Sequence, residues 1–254
     1  MFKKCFFSLY LVLCSFLLNA QETATEFYDE EGTNLNVLYR NDQSIKAFVN
    51  TRGFGLLFRR CKHQTIKTRS FYEFDIQTLN SFKEVSSDGA AETKNSFVFG
   101  KINSILLLRG ALGVQNVIFS KASINAVEVR YSFSFGPTLA FAKPYYVQVF
   151  RPSVSPIIKQ SEIVKFDSEK FTIDSIIGRG GLLYGMDEIV LYPALTAKFN
   201  LSFEYAPYTN LIRAIETGIS IDYFPKALPI MARNPAENLI FTFHVGLVFG
   251  KKWF

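Results

Sequence analysis

Histidine, cysteine, tryptophan and long apolar runs are all scarce in this chain, and each scarcity removes a class of function. The two histidines (His63, His244) and three cysteines form no cluster with metal-ligand spacing, so no metal site and no cofactor is expected. Cys5 and Cys14 fall within the first 20 residues, which leaves Cys61 alone, and one thiol makes no internal disulfide. Beyond those first 20 residues no stretch approaches the ~20 apolar residues of a membrane helix, so any crossing of a bilayer has to be made by strands. Strong charge of one sign is missing as well. Lys+Arg 28 against Asp+Glu 22 gives +6, which falls to +4 if Lys3 and Lys4 are removed with the N-terminus. A mild balance without a basic block excludes nucleic acid as a partner.

What is present begins with the N-terminus. Lys3 and Lys4 precede an apolar run from Cys5 to Leu18, and the small residue Ala20 stands before Gln21. This is the layout of a secretory signal peptide covering 1–20, cleaved after Ala20. Leu18 fits the small-residue rule poorly, but the run is too short for a spanning anchor. A lipoprotein reading would need Cys14, and the bulky Leu13 before it argues against that. Residues 21–45, with Glu22, Glu26, Asp29, Glu30 and Glu31, read as a solvated periplasmic tail.

The rest of the chain alternates. In 195–205, Leu195, Ala197, Phe199, Leu201, Phe203 and Tyr205 interleave with Thr196, Lys198, Asn200, Ser202 and Glu204. Residues 213–223, 127–135 and 240–250 repeat the pattern, and Tyr72, Phe74 and Ile76 oppose Glu73, Asp75 and Gln77. Charged residues opposite a continuous greasy face suit a membrane barrel with a polar interior. The expected fold is therefore all-β, an antiparallel transmembrane β-barrel occupying 46–254. Strands at 46–58, 69–78, 96–109, 126–136, 138–151, 191–205, 211–224 and 238–250 make eight. Weak segments at 114–120 or within 160–173 would raise the number to ten. Both termini are expected in the periplasm, with tight turns at Gly136–Pro137 and 206–210 on that side and a long extracellular loop at 152–190. The segment 79–95 is then an anomaly, a long connection on the side of the tight turns.

The interior of an eight-stranded barrel is just wide enough to be filled by side chains. Glu73, Asp75, Glu128, Arg130, Lys198, Glu204, Glu216 and Asp222 would face one another there. Isolated buried charges are very costly, so a salt-bridge network rather than a pore is expected.

Four stretches carry a family resemblance: NTRGFGLLFRRCKHQTIKTRSFYEFDIQTL (50–79), SFVFGKINSILLLRGALG (96–113), VEVRYSFSFGPTLAFAKPYYVQVF (127–150) and FHVGLVFGKKWF (243–254). They resemble small, poorly characterised outer-membrane β-barrel proteins of Gram-negative bacteria. The resemblance implies a barrel in the cell outer membrane and transfers no catalytic residues. Its C-terminal strand departs from the commonest insertion signal, because Lys251 and Lys252 stand between Phe249 and the final aromatics.

Candidates for chemistry are few. His63, near Thr65 and Ser70, would lie at the extracellular rim. His244 points into the lumen, within reach of Ser220 or Asp222 and forming a polar cluster with Ser220 in particular. Neither has a nucleophile–base spacing signature. Gly178-Arg179-Gly180-Gly181 only loosely resembles a phosphate-binding loop. The expected role is non-enzymatic, an accessory or scaffold subunit of an outer-membrane secretion or biogenesis assembly. A small channel and a lipid-modifying enzyme are the alternatives. Expected partners are outer-membrane lipid including lipopolysaccharide, the barrel-insertion machinery through the last strand, and an outer-membrane protein complex.

Overall fold

The computed structural model describes residues 40–253 except 66, 88–95, 121–125, 152–159, 182, 206–209 and 233. The expected leader (1–20) and residues 21–39 of the expected tail lie outside the described residues. Thirteen strands are described: β1 (Asn41–Asn50), β2 (Gly53–His63), β3 (Thr68–Leu79), β4 (Ser86–Ser87), β5 (Phe97–Val98), β6 (Asn103–Phe119), β7 (Glu128–Pro144), β8 (Tyr146–Arg151), β9 (Gln160–Lys165), β10 (Ile176–Arg179), β11 (Val190–Glu204), β12 (Leu211–Leu228) and β13 (Glu237–Trp253). Eight of them close an antiparallel barrel in the order β1-β13-β12-β11-β7-β6-β3-β2. The alternation of the sequence is the cause. Each barrel strand sends one set of side chains outward and the other inward. The burial is inverted relative to a water-soluble core: Phe133 and Phe243 are 57% and 64% exposed, while Glu73, Glu216 and Asp222 are at 0%.

The strand number matches the sequence expectation, but two boundaries change in compensating ways. The expected strand 46–58 is a hairpin. The Asn50 side chain accepts a hydrogen bond from the Arg52 amide at 2.7 Å, which closes a tight turn between β1 and β2. As a result, Asn41–Ile45 of the expected tail belong to β1. Conversely, 128–136 and the first half of 138–151 form one strand, β7, running through Gly136 and Pro137. Proline has no N–H to give, and the β6–β7 ladder lapses between the pairs Arg109↔Thr138 and Leu112↔Phe135. The chain crosses that gap closely, since a Cβ at Gly136 would lie 2.0 Å from the Gly110 carbonyl oxygen and 2.6 Å from the Ala111 Cα. Gly-Pro marks a close approach inside a strand here, not a turn.

These changes reverse the direction of the strands between them. Connections 51–52, 80–102, 145–189 and 229–236 now share one end of the barrel. Connections 64–67, 120–127 and 205–210 share the other, with the start of β1 and the end of β13. The anomalous long turn disappears, because 79–95 falls at the end with the other long loops. Residues 114–119 are the last six of β6, and β9 lies outside the barrel in a three-stranded sheet ordered β10-β8-β9. That sheet has its own core of Phe97, Tyr145, Val147, Val149, Phe166 and Ile176. The expected loop 152–190 is thus partly a folded platform, and it includes the last residues assigned to strand 138–151.

The close approach at Gly136 gives a direct test. Gly136→Val is expected to lower stability by about 1–3 kcal/mol through overpacking against backbone, or to prevent barrel closure. Gly110→Ala, whose Cβ would meet only the Phe74 ring at 3.3 Å, is expected to fold. Heat-modifiable gel mobility of the two variants checks this, and normal folding of both would contradict the strand path.

Candidate functional site

The only place where functional side chains gather among the described residues is the lumen, which is layered. At the long-loop end it is apolar: Leu79, Ile105, Leu107, Tyr192, Phe224 and Ile240 meet, joined by Ile230 from the connection after β12. Ile230 is held there by backbone bonds, its carbonyl accepting from the Ile102 amide at 2.9 Å.

Below this layer lies an alternating chain of four cations and four anions. Lys46 Nζ reaches Glu216 at 2.7 Å, and Glu216 takes a fork of bonds from Arg59 at 2.6 and 3.1 Å. Arg59 also binds Glu73 at 2.8 Å, and Glu73 meets Lys198 at 3.2 Å. Lys198 pairs with Asp75, Asp75 faces Arg109 at 3.5 Å, and Arg109 grips Asp222 through two nitrogens. The Ser134 hydroxyl donates to Glu73 at 2.8 Å. Six of the eight barrel strands (β1, β2, β3, β6, β11 and β12) supply these charges, because inward positions at one height come from strands all round the barrel.

A second chain crosses the lumen nearer the termini. Arg69 binds Asp42 at 2.6 Å and lies 3.7 Å from Glu128. Arg130 contacts Glu128 and also Glu204 at 2.5 Å, and Lys252 completes the set at 2.7 Å from Glu204. This gives Lys252 a structural role: the alternation of β13 continues through it, so the lysine that interrupts the terminal aromatics points inward. Three cations again balance three anions.

The sequence-derived residues therefore divide into two groups. Glu73, Asp75, Lys198, Glu216 and Asp222 belong to the middle chain, and Glu128, Arg130 and Glu204 to the chain nearer the termini. His244 and Ser220 are not brought together. The β12–β13 register pairs Gly218 with His244 and Ser220 with Thr242, two residues further along. His244 Nε2 instead meets Asn200 Oδ1 at 2.8 Å, Ser220 shares a 2.5 Å hydrogen bond with Thr242, and Asp222 is engaged by Arg109. His63 sits at the terminus-side end, not at the long-loop rim, 3.4 Å from Asp42. Its expected neighbours serve elsewhere: Thr65 Oγ1 accepts from the Thr68 amide at 3.0 Å, and Ser70 is on the opposite face from Arg69. Gly178–Gly181 belongs to the edge strand β10 and the turn after it.

Lys46, Arg59, Arg69, Arg109, Asp42 and Lys252 escaped the sequence reading. Lys46 and Arg59 were hidden by treating a hairpin as one strand. The signal was available in Ile45, Ala47 and Val49 alternating with Ser44, Lys46 and Phe48. Arg109 follows Leu106-Leu107-Leu108, where the inner face is as apolar as the outer one.

No protein-family model matches the chain, and no curated protein matches it. Among solved structures, Neisserial surface protein A is similar with a TM-score of 0.41 and 10% identity, over 85% of this chain and 97% of that one. Ail, the attachment invasion locus protein of Yersinia pestis, is similar with a TM-score of 0.40 and 10% identity, over 85% of this chain and 100% of that one. The TodX monoaromatic hydrocarbon channel gives a TM-score of 0.24 at 8% identity, over 86% and 91%.

Removing one member of a fully buried ion pair strands its partners, at a cost of about 3–5 kcal/mol. Glu216→Ala leaves both Lys46 and Arg59 short of a carboxylate, so its urea-unfolding free energy in detergent micelles is expected to fall by about that amount. An unchanged midpoint would show that the chain of charges is not a buried network.

Proposed function

We propose that this protein is an outer-membrane β-barrel with no enzymatic activity and no open pore, acting as an accessory or scaffold subunit of an outer-membrane assembly. The observation that carries the reading is the combination of an apolar exterior with a filled lumen. Each barrel strand has at least 10 residues, which meets the ~9–11 that a tilted strand needs to span a bilayer. Closure removes the free sheet edges that hydrocarbon would not tolerate. The paired charges and the apolar layer above them occupy the space that a channel would keep open.

In this reading the start of β1 and the end of β13 face the periplasm and the long loops face outward, since short turns belong on the periplasmic side. The leader directs export, and β13 presents the strand that the insertion machinery recognises. Lipid, including lipopolysaccharide, covers the outer wall. The β10-β8-β9 platform is the surface offered to a protein partner, because it is the part of the chain with a core of its own outside the barrel.

Extraction of the full chain from native outer membranes in mild detergent, followed by mass spectrometry, tests the role. A stoichiometric companion is expected, and it should disappear when 146–179 is replaced by a short linker in a barrel that still shows heat-modifiable folding. A lone monomer under conditions that preserve other membrane assemblies would overturn the scaffold reading.

A further inference from the structure

The connection between β7 and β11 ends in a turn that sits on the outside of the barrel wall. Lys143 is on the outward face of β7, between the inward Ala142 and Pro144, and its Nζ donates to the Tyr184 carbonyl at 3.3 Å. Gly185, at φ 77°, packs on the Tyr146 ring, where an added Cβ would approach to 2.6 Å. The Tyr146 hydroxyl donates to Glu188 at 2.7 Å, and Lys165 binds the other carboxylate oxygen at 2.7 Å. These two hydrogen bonds hold the Glu188 carboxyl below its usual range. The turn is therefore fastened at both of its sides.

What the fastened turn displays is unusual for a water-exposed loop. Leu183, Tyr184 and Met186 are 81%, 50% and 54% exposed. Three large apolar side chains within four residues are not the composition of a solvated loop tip. The turn leads into β11, whose outward face starts with the exposed Leu191, paired in register with Phe141 of β7. Beside them stand two cations. Lys143 is the first, and Arg179 is exposed at the end of β10, where it pairs in register with Val147, the residue after the Tyr146 on which Gly185 packs. Apolar side chains flanked by cations at a barrel rim match the two layers of a leaflet, acyl chain and phosphate.

We infer that the 183–186 turn is a lipid-binding spur: Leu183, Tyr184 and Met186 enter the acyl layer at the long-loop end, and Lys143 and Arg179 hold the phosphate of an anionic lipid headgroup. The inference rests on the reading that the barrel spans a membrane, and it adds a defined lipid site to it.

The test uses the full chain in phosphatidylcholine vesicles carrying acyl-brominated lipid, a short-range quencher of indole. Trp253→Phe removes the only native indole, and Leu183→Trp, Phe133→Trp or Glu169→Trp introduces one at the spur, the barrel wall or the solvated loop. Quenching is expected at the spur and the wall and absent at Glu169→Trp. At the spur, brominated phosphatidylglycerol is expected to quench at lower mole fraction than brominated phosphatidylcholine. Lys143→Gln and Arg179→Gln should each cut that preference about fivefold. Quenching at Phe133→Trp but not at Leu183→Trp overturns the spur and leaves the membrane reading standing. No quenching at either overturns both. Equal quenching by the two lipids at the spur overturns the headgroup site.

Discussion

Fourteen charged side chains enclosed in one narrow lumen impose the condition on which this structure depends: each has to find an opposite partner without help from bulk water. Burying a carboxylate or an ammonium group alone costs several kcal/mol even after relaxation, so the charges cannot be placed independently. The two chains meet the condition by alternating in sign, four against four and three against three. Because the partners come from different strands, the pairing also specifies register. A one-residue slip in β3 or β12 would turn Glu73 or Glu216 to the outside and take from Arg59 one of its two carboxylates.

The exterior answers the opposite demand. Outward positions are filled by Phe, Leu, Ile and Val, which would be a liability in water and are the ordinary surface of a barrel in hydrocarbon. The lumen changes character along its length, from charge near the termini and in the middle to apolar packing under the long loops. The apolar layer borrows Ile230 from a connection outside the barrel wall. That connection is tied in turn to the segment before β6, the Ile102 amide donating to the Ile230 carbonyl and the Ala232 amide to the Gly100 carbonyl.

The sequence made some of this legible and hid the rest for identifiable reasons. β11, β12 and β13 were readable because their inward faces are polar and their outward faces apolar, so the period of two is unbroken. The β1–β2 hairpin was concealed because Asn50 and Gly53 mark a turn only two residues long, inside an otherwise apolar stretch. Gly136–Pro137 misled in the other direction: the pair has turn composition, yet it occupies a strand where the ladder lapses and two backbones approach closely. Where the lumen is apolar, as at Leu106-Leu107-Leu108, both faces look alike and periodicity carries no information. Ser220 and His244 share the lumen, but a two-residue register offset separates them, and single-sequence reading has no access to register.

Cys61 offers the most direct measurement of whether the lumen is sealed. It is buried on β2, facing Asp42 and Phe71 across the neighbouring strands, at the edge of the charge chain nearest the termini. A small, charged, water-soluble thiol reagent applied to the folded barrel in lipid nanodiscs reports on water at that depth. The filled-lumen account requires that Cys61 stay unmodified in the folded protein and react promptly once the barrel is unfolded in denaturant. Rapid modification of the folded barrel would mean an aqueous path along the lumen, and the paired charges would then line a channel.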